Sequence, residues 1–160
     1  MQHRLLLLVP VAVLLAACAS QPAATPVSVA DTIAHDPQLS TLNSLVVKAG
    51  LTETLKAAGP YTVFAPTNAA FGAVPAKTLE DLGKNPDQLK AVLNYHVLPS
   101  KLMAADVKPS NAKTAQGANL ALSKAGEFVT VEDAMVQTAD IVATNGVVHT
   151  VDRVLMPPRR

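Results

Sequence analysis

His149 and Asp152 have types and spacing that suggest chemistry, because a histidine next to a carboxylate can activate a hydroxyl for hydrolysis. On a regular strand, however, residues three apart point to opposite faces, so these two side chains cannot form a hydrogen-bonded pair. His149 instead shares a face with Val147 and Val151, which predicts a mostly buried ring. No serine lies in a Gly-x-Ser-x-Gly turn. The pair therefore indicates a structural strand and not a catalytic dyad.

Other ligands and nucleophiles are sparse. The chain has 160 residues with four histidines and one cysteine, and the histidines are isolated from one another along the sequence. A metal site needs several convergent ligands, so no metal is predicted. Neither Gly-x-Gly-x-x-Gly nor Gly-Lys-Ser/Thr is present, so no loop has the pattern that holds nucleotide phosphates. The sequence predicts a protein that is not an enzyme and has no cofactor.

The single cysteine, Cys18, closes an export signal. A basic start precedes an apolar run at 5–14, which is shorter than the ~20 apolar residues of a membrane-spanning helix. The segment 15–18, Leu-Ala-Ala-Cys, resembles the lipobox of bacterial lipoproteins. This resemblance implies that residues 1–17 are removed as a signal peptide and that Cys18 is acylated on its sulfur and on its new amino group.

The acylated Cys18 is expected to anchor the protein, because several acyl chains together give stable membrane attachment. Ala19 follows the cysteine instead of an aspartate, and by resemblance to Gram-negative lipoproteins this favours the outer membrane. Residues 18–27 are rich in proline and small residues and predict a flexible tether of a few tens of Å at most. Residues 28–157 are predicted to form one domain, and 158–160 a short polar tail.

The charge balance excludes one class of partner. After removal of residues 1–17, the chain has 12 Lys plus Arg and 12 Asp plus Glu, and it is formally neutral. Nucleic-acid binding requires a basic stripe or patch, so no nucleic-acid partner is expected. With Cys18 acylated no free thiol remains for a disulfide or a thiolate cluster. The fold must therefore be held by its core.

The first half of the domain shows the start and stop signals of short helices. Ser28 or Asp31 is predicted to cap a helix at 30–35. Ser40 and Thr67 are predicted to cap two others. The expected helices lie at 30–35, 41–49, 52–58, 68–71, after Pro75 and from Asn85, with a strand at 61–64.

The helix from Asn85 has the clearest signals. Asn85 is a capping residue, Pro86 occupies the first helical position, and Gln88 completes a capping box. An apolar stripe at i, i+3, i+4 and i+7 then includes a histidine and predicts that its ring is buried. The stripe consists of Leu89, Val92, Leu93 and His96.

After Thr114 the pattern changes to short runs of strand-forming residues. The predicted strands lie near 119–123, 128–131, 135–142 and 147–155. Asn145-Gly146 between two of them predicts a type I′ hairpin turn, which requires positive φ at both residues. Helices first and antiparallel strands later indicate an α+β domain.

Three segments resemble signatures of the fasciclin-domain family. Residues 62–71 (TVFAPTNAAF) resemble its first signature, 93–98 (LNYHVL) its Tyr-His motif, and 140–155 its second signature. The similarity covers about 27–157 and identifies a bacterial single-domain lipoprotein of this family. It implies a wedge of about seven short, mostly antiparallel strands flanked by several short helices.

The resemblance also implies sites for a partner. In animal members the Tyr-His and Asp-Ile segments have been proposed to bind integrins, and here they are Tyr95-His96 and Asp140-Ile141. His96 and Ile141 are expected in the core. Tyr95 lies one residue off the apolar stripe and is expected at its edge, exposed, which makes it the better candidate for a contact.

The family is one of extracellular adhesion and matrix modules. The expected function is therefore that of a lipid-anchored cell-envelope module, without catalysis, that binds a protein or polysaccharide. The alternative is a structural or accessory lipoprotein that faces the periplasm and binds an envelope partner.

Overall fold

The computed structural model describes residues 27–158, so the predicted signal peptide, Cys18 and nearly all of the tether lie outside the described residues. Within this range helices dominate the first half and strands the second, as predicted. The helices are α1 Val29–His35, α2 Ser40–Lys48, α3 Thr52–Lys56, α4 Asn68–Gly72, α5 Ala76–Lys84 and α6 Pro86–Tyr95, with 3₁₀ turns at Pro37–Leu39 and Ala104–Asp106. The strands are β1 Tyr61–Pro66, β2 Val97–Leu98, β3 Ser110–Lys113, β4 Asn119–Ala125, β5 Phe128–Val131, β6 Ala134–Ala143 and β7 Gly146–Val151.

Two of the predicted caps are confirmed. Ser28 caps α1 in a capping box: its Oγ accepts from the Asp31 N–H and donates to the Asp31 carboxylate at 2.7 Å. This hydrogen bond to the charged form lowers the pKa of Asp31. Thr67 caps α4 by accepting from the Ala70 N–H. Each cap satisfies a backbone donor that the first helical turn leaves free.

Two other predicted caps are wrong. Ser40 lies inside α2, and the preceding 3₁₀ turn is capped by Asp36 instead. Asn85 precedes α6 but makes no capping bond, because its Nδ2 donates backwards to the Asp81 carbonyl and closes α5. Pro86 still marks the helix start, since its fixed φ and missing N–H suit the first helical position.

One sheet of seven strands has the order β2-β1-β7-β6-β5-β4-β3. The pair β1 and β7 is parallel, with Tyr61 opposite Gly146 and Pro66 opposite Val151, and the other neighbouring pairs are antiparallel. This is the α+β class with mostly antiparallel strands that the sequence predicts. Parallel pairing is possible here because β1 and β7 are joined by the long connection 67–145 and not by a tight turn.

The sheet curls into a wedge. β6 has register shifts between Val136 and Ile141, and such bulges bend a strand. The Ala115 N–H donates to the Val97 carbonyl at 2.8 Å, so the segment after β3 reaches β2 at the other end of the strand order. Neither β2 nor β3 has a sequence pattern that predicted a strand, because both are short and lie at the sheet's edges.

Apolar side chains form two core clusters, one on each side of β1 and β7. The first packs α1 to α6 against Val63, Ala65 and Val148. The second fills the inside of the wedge between Phe64 and Val151 and strands β4 to β6. All six residues of β7 are consequently buried.

The turn between β6 and β7 differs from the prediction. Its two loop residues are Thr144 and Asn145, and neither Asn145 nor Gly146 has positive φ, so the type I′ prediction is wrong. Gly146 is required for another reason: a Cβ there would overlap the Tyr61 carbonyl oxygen on the parallel neighbour β1. Close backbone approach, and not turn geometry, therefore selects glycine.

Candidate functional site

Tyr95 was predicted to be an exposed contact residue, and the structure contradicts that exposure. Its side chain is only 3% exposed and lies in the core inside the wedge. The hydroxyl donates toward the Asn119 carbonyl at 3.2 Å and the Glu132 carboxylate at 3.3 Å. Burial, together with the Glu132 charge, raises the pKa of Tyr95. Tyr95 thus joins the end of α6 to β4 and to the β5–β6 turn.

His96 is buried, as predicted. Its Nδ1–H donates to the Val92 carbonyl at 2.8 Å, and its Nε2 accepts from the Leu155 N–H at 2.9 Å. Burial lowers the pKa of His96 to about 4, although the bond to Val92 opposes the shift. The neutral ring has both nitrogens occupied by backbone groups and cannot serve as a base or metal ligand without losing one of these bonds.

Asp140 lies where β6 bends. Its φ of 57° is in the left-handed region, which aspartate tolerates better than most residues do. The Asp140 carboxylate accepts from the Ala104 N–H at 2.8 Å, while its own backbone N–H donates to the His149 Nδ1 at 3.1 Å. Asp140 is exposed, but its carboxylate already holds the neighbouring loop.

Ile141 is partly buried and packs against the helical core cluster, on the other side of the sheet from Tyr95. The four predicted contact residues therefore do not share one surface. His96 and Tyr95 are interior, and Asp140 and Ile141 belong to the bend of β6. A partner contact by any of them stays a prediction.

His149 confirms the buried ring that the sequence predicts, at 2% exposure. Its Nε2–H donates to the Leu102 carbonyl at 2.7 Å, and the ring stacks on Phe64 with centroids 5.6 Å apart. Burial lowers the pKa of His149, against the opposing effects of the Leu102 bond and the Asp140 charge. Asp152 instead accepts from the Met135 N–H at 2.8 Å. The two residues do not form a dyad.

A loop at 100–106 is fastened to the sheet by side chains from distant strands. Thr62 donates to the Ser100 carbonyl and accepts from the Leu102 N–H. The His149 ring donates to the Leu102 carbonyl, and the Asp140 carboxylate accepts from the Ala104 N–H. The Lys124 ammonium donates to the Ala104 carbonyl at 3.0 Å. Sequence reasoning did not find this arrangement, because its members lie 19 to 47 positions apart.

Asn145 connects the β6–β7 turn to the helices. Its Oδ1 accepts from the Val29 N–H at 2.8 Å, and its Nδ2 donates to the carbonyls of Leu55 and Ala57. The Thr144 N–H donates to the Val27 carbonyl at 2.9 Å. The first described residue is therefore fixed beside the amino-terminal ends of β1 and β7.

Two further kinds of site, a metal centre and a membrane span, are not found within residues 27–158. No group of three or more His, Cys, Asp or Glu side chains in this range is arranged to hold a metal ion. No helix in the same range combines the length and the apolar character needed to cross a bilayer.

An open groove of about 1080 Å³ lies between α4 to α6 and the segment that follows β7. Its walls combine apolar side chains with amides, and Gln116 and Arg153 contribute to them. None of the four predicted contact residues lines it. Sequence patterns did not indicate this groove beyond Arg153 and Val154 of the second signature, because its walls come from three separate parts of the chain, 70–92, Gln116 and 153–158.

Comparison with known proteins agrees with this architecture. The sequence model of the Fasciclin domain matches residues 37–157. Protein sll1483 of Synechocystis is 42% identical over 133 residues, which is 82% of this chain and 74% of that protein. Cell surface glycolipoprotein MPB83 of Mycobacterium bovis is 36% identical over 135 residues, 81% of this chain and 60% of that protein.

A solved structure shows the same fold. It is the FAS1 domain pair from the insect cell adhesion molecule fasciclin I, with a TM-score of 0.66 and 16% identity. The match covers 82% of this chain and 51% of that one. The match of the family model to residues 37–157 and the identity to these relatives give one conclusion: the chain belongs to the Fasciclin domain family.

Proposed function

We propose that this chain is a lipid-anchored cell-envelope protein whose fasciclin domain binds an extracellular or envelope macromolecule without catalysing a reaction. The observation that carries the proposal is the combination, in one chain, of the lipobox-like segment 15–18 with a Fasciclin domain at 37–157. Two similar proteins support it by their names: one is a cell surface glycolipoprotein, and the other is a cell adhesion molecule.

The chemistry of the interior supports a binding role. Both buried histidines are held neutral, and their nitrogens are occupied by backbone groups. A general base must be able to reach a substrate proton with a free nitrogen. These rings instead join backbone segments that are distant in the sequence, which is consistent with a module that acts through the shape of its surface.

Anchoring in a membrane would raise the overall binding affinity of such a module for a multivalent partner. Many copies held in one membrane plane would engage a polymer or a neighbouring cell together, so weak single contacts add up through effective concentration. Val27 is fixed beside the Thr144 turn, at the amino-terminal ends of β1 and β7. A tether that joins the domain at this end would leave the opposite end of the strand pair free to meet a partner.

Lipidation is tested with Cys18→Ser, and with Ser20→Ala as a control that leaves the cysteine in place. Cys18→Ser is expected to remain unprocessed or to leave the membrane fraction, whereas Ser20→Ala behaves as wild type. Mass spectrometry of the wild-type N-terminal peptide should show acyl mass on Cys18. A wild-type protein that carries no acyl mass, or a Cys18→Ser protein that fractionates and is processed like wild type, would contradict the anchor.

Display is tested with antibodies against the folded domain, applied to intact and to permeabilised cells. Labelling of intact cells, together with reduced attachment to neighbouring cells or matrix when the gene is deleted, is expected for an adhesion module. Labelling only after permeabilisation would contradict surface display and would support the alternative, a periplasm-facing accessory lipoprotein.

A further inference from the structure

We infer that the groove between α4 to α6 and the segment after β7, called here the C-terminal groove, binds an extended peptide segment of a protein partner. The inference rests on the proposed binding function and names the surface that performs it. The groove runs between Val74 and Leu82 on the helical side and Val154 and Met156 on the other.

The size and lining of the C-terminal groove suit a polymer segment. Its volume of about 1080 Å³ is at the upper limit of typical small-molecule sites. Apolar side chains line much of it, and Met156 is 43% exposed beside them. Exposed methionine is an adaptable contact for apolar side chains, which an extended peptide presents at every second residue.

The side-chain oxygen of Gln116 is a hydrogen-bond acceptor without a partner in residues 27–158. Its side chain lines the C-terminal groove, yet its Oε1 is buried and has no hydrogen-bond partner within residues 27–158. A buried acceptor without a donor is unfavourable, and native structures usually satisfy it. Rotation of this amide toward the groove would let it accept from a ligand N–H, and a peptide backbone offers such donors at regular intervals.

Charge and composition argue against other polymers. The groove contains one carboxylate, Asp81, and one guanidinium, Arg153, so it does not favour a strongly charged chain such as a nucleic acid or an acidic polysaccharide. None of its lining residues is aromatic. A neutral polypeptide backbone with apolar side chains fits this lining best.

The C-terminal groove lies at the opposite end of the β1–β7 pair from Val27, the last residue of the predicted tether. Ala70 and Ala73 follow the carboxyl end of β1, and Arg153 and Val154 follow that of β7. Val27 is fixed at the amino-terminal ends of the same two strands. Five residue steps of ~3.3 Å separate the two ends, so Val27 and the groove lie at opposite ends of a strand pair that is roughly 17 Å long.

The test is a selection from a random twelve-residue peptide phage library against the full chain, purified from membranes in mild detergent. Enriched peptides are then synthesised and titrated into ¹⁵N-labelled protein. Saturable shifts are expected at backbone amides around Gln116, Ala73 and Val154. A selection that enriches no peptide, or peptides that shift amides elsewhere, would overturn the inference.

Variants sharpen the test. Gln116→Leu removes the unpaired acceptor, so it should raise Tm while weakening peptide binding about tenfold, since the hydrogen bond is lost. Ala73→Trp should block the groove and abolish binding. The matched controls, Gln137→Leu and Ala125→Trp, alter exposed residues on β6 and β4 and should bind as wild type. Equal binding by Gln116→Leu and Gln137→Leu would remove Gln116 from the site.

Ligands of the groove other than a peptide would give different patterns of amide shifts. Groove shifts that appear with neutral chito-oligosaccharide but not with peptide would overturn the choice of ligand. Shifts that grow with protein concentration alone would assign the groove to a second copy. Attachment assays separate failure of this inference from failure of the proposed function. If cells that produce the Ala73→Trp protein still attach while cells that lack the gene do not, the adhesion function stands and only the role of the groove is lost.

Discussion

The Nε2 of His96 accepts a hydrogen bond from the Leu155 N–H at 2.9 Å, so one imidazole ring joins the end of α6 to the segment after β7. His149 makes the corresponding link with the opposite tautomer, since its Nε2 is the donor and its Nδ1 the acceptor. In both cases a neutral ring satisfies two backbone groups that the core would otherwise leave unpaired. Protonation of either ring would turn its acceptor nitrogen into a donor facing another donor.

Acid should therefore destabilise the protein through His96. The folded-state pKa is about 4 and the ordinary value is 6.5, so below pH 6.5 the unfolded chain binds the additional proton. The stability due to the neutral ring is complete above pH 6.5 and is lost as the pH falls toward 4. At pH 4.5 the loss relative to pH 7.5 should be about 2–3 kcal/mol.

Urea unfolding at these two pH values checks this. His96→Gln should be less stable at pH 7.5 but should show a smaller loss on acidification than wild type, because glutamine does not titrate. His35→Gln alters an exposed ring and should keep the wild-type pH dependence. An unchanged acid loss in His96→Gln would show that other groups cause it.

Asp140 should be sensitive to the type of substitution. Asp140→Asn retains an oxygen for the Ala104 N–H and a residue that tolerates left-handed φ, so unfolding free energy should change by about 0.5 kcal/mol or less. Asp140→Ala loses the acceptor and places alanine at φ 57°, and it should cost about 1–3 kcal/mol. Asp133→Ala, on an exposed turn, is the control. Equal denaturation midpoints for Asp140→Asn and Asp140→Ala would refute this role.

Gly146→Ala should be among the most damaging small substitutions. The new Cβ would overlap the Tyr61 carbonyl, so β1 and β7 must separate at their amino-terminal ends, with a cost of more than about 4 kcal/mol or failure to fold. Gly72→Ala is the contrasting variant, since a Cβ there meets nothing within 4 Å, and it should be neutral or raise Tm. Thermal unfolding followed by circular dichroism distinguishes them, and a Gly146→Ala protein of wild-type Tm would contradict the close approach.

Tyr95→Phe separates a structural from a contact role. The variant keeps the buried ring and loses the hydroxyl bonds to Asn119 and Glu132, so it should cost about 0.5–1.5 kcal/mol. Partner binding should not change, because the side chain is 3% exposed. Tyr61→Phe, at a partly exposed tyrosine, is the matched control. Weakened binding of a partner by Tyr95→Phe at unchanged stability would restore the contact role that the resemblance implies.

The local features of this fold were readable from the sequence because neighbouring residues determine them. Ser28 with Asp31, Thr67 and Pro86 mark helix starts through bonds or φ restrictions within one turn. The i, i+3, i+4, i+7 stripe predicted the burial of His96. The three signature segments were sufficient to identify the family, and with it the order of helices and strands.

Tertiary structure decided what depends on partners far along the chain. Tyr95 is buried because the curled sheet encloses the end of α6, so the stripe on one helix face underestimates burial. Gly146 is fixed by a carbonyl 85 positions earlier, and Gln116 is brought to the C-terminal groove by the closure of the wedge. Local propensity and periodicity carry no information about such contacts, because their energies arise only when distant strands pair and exclude water.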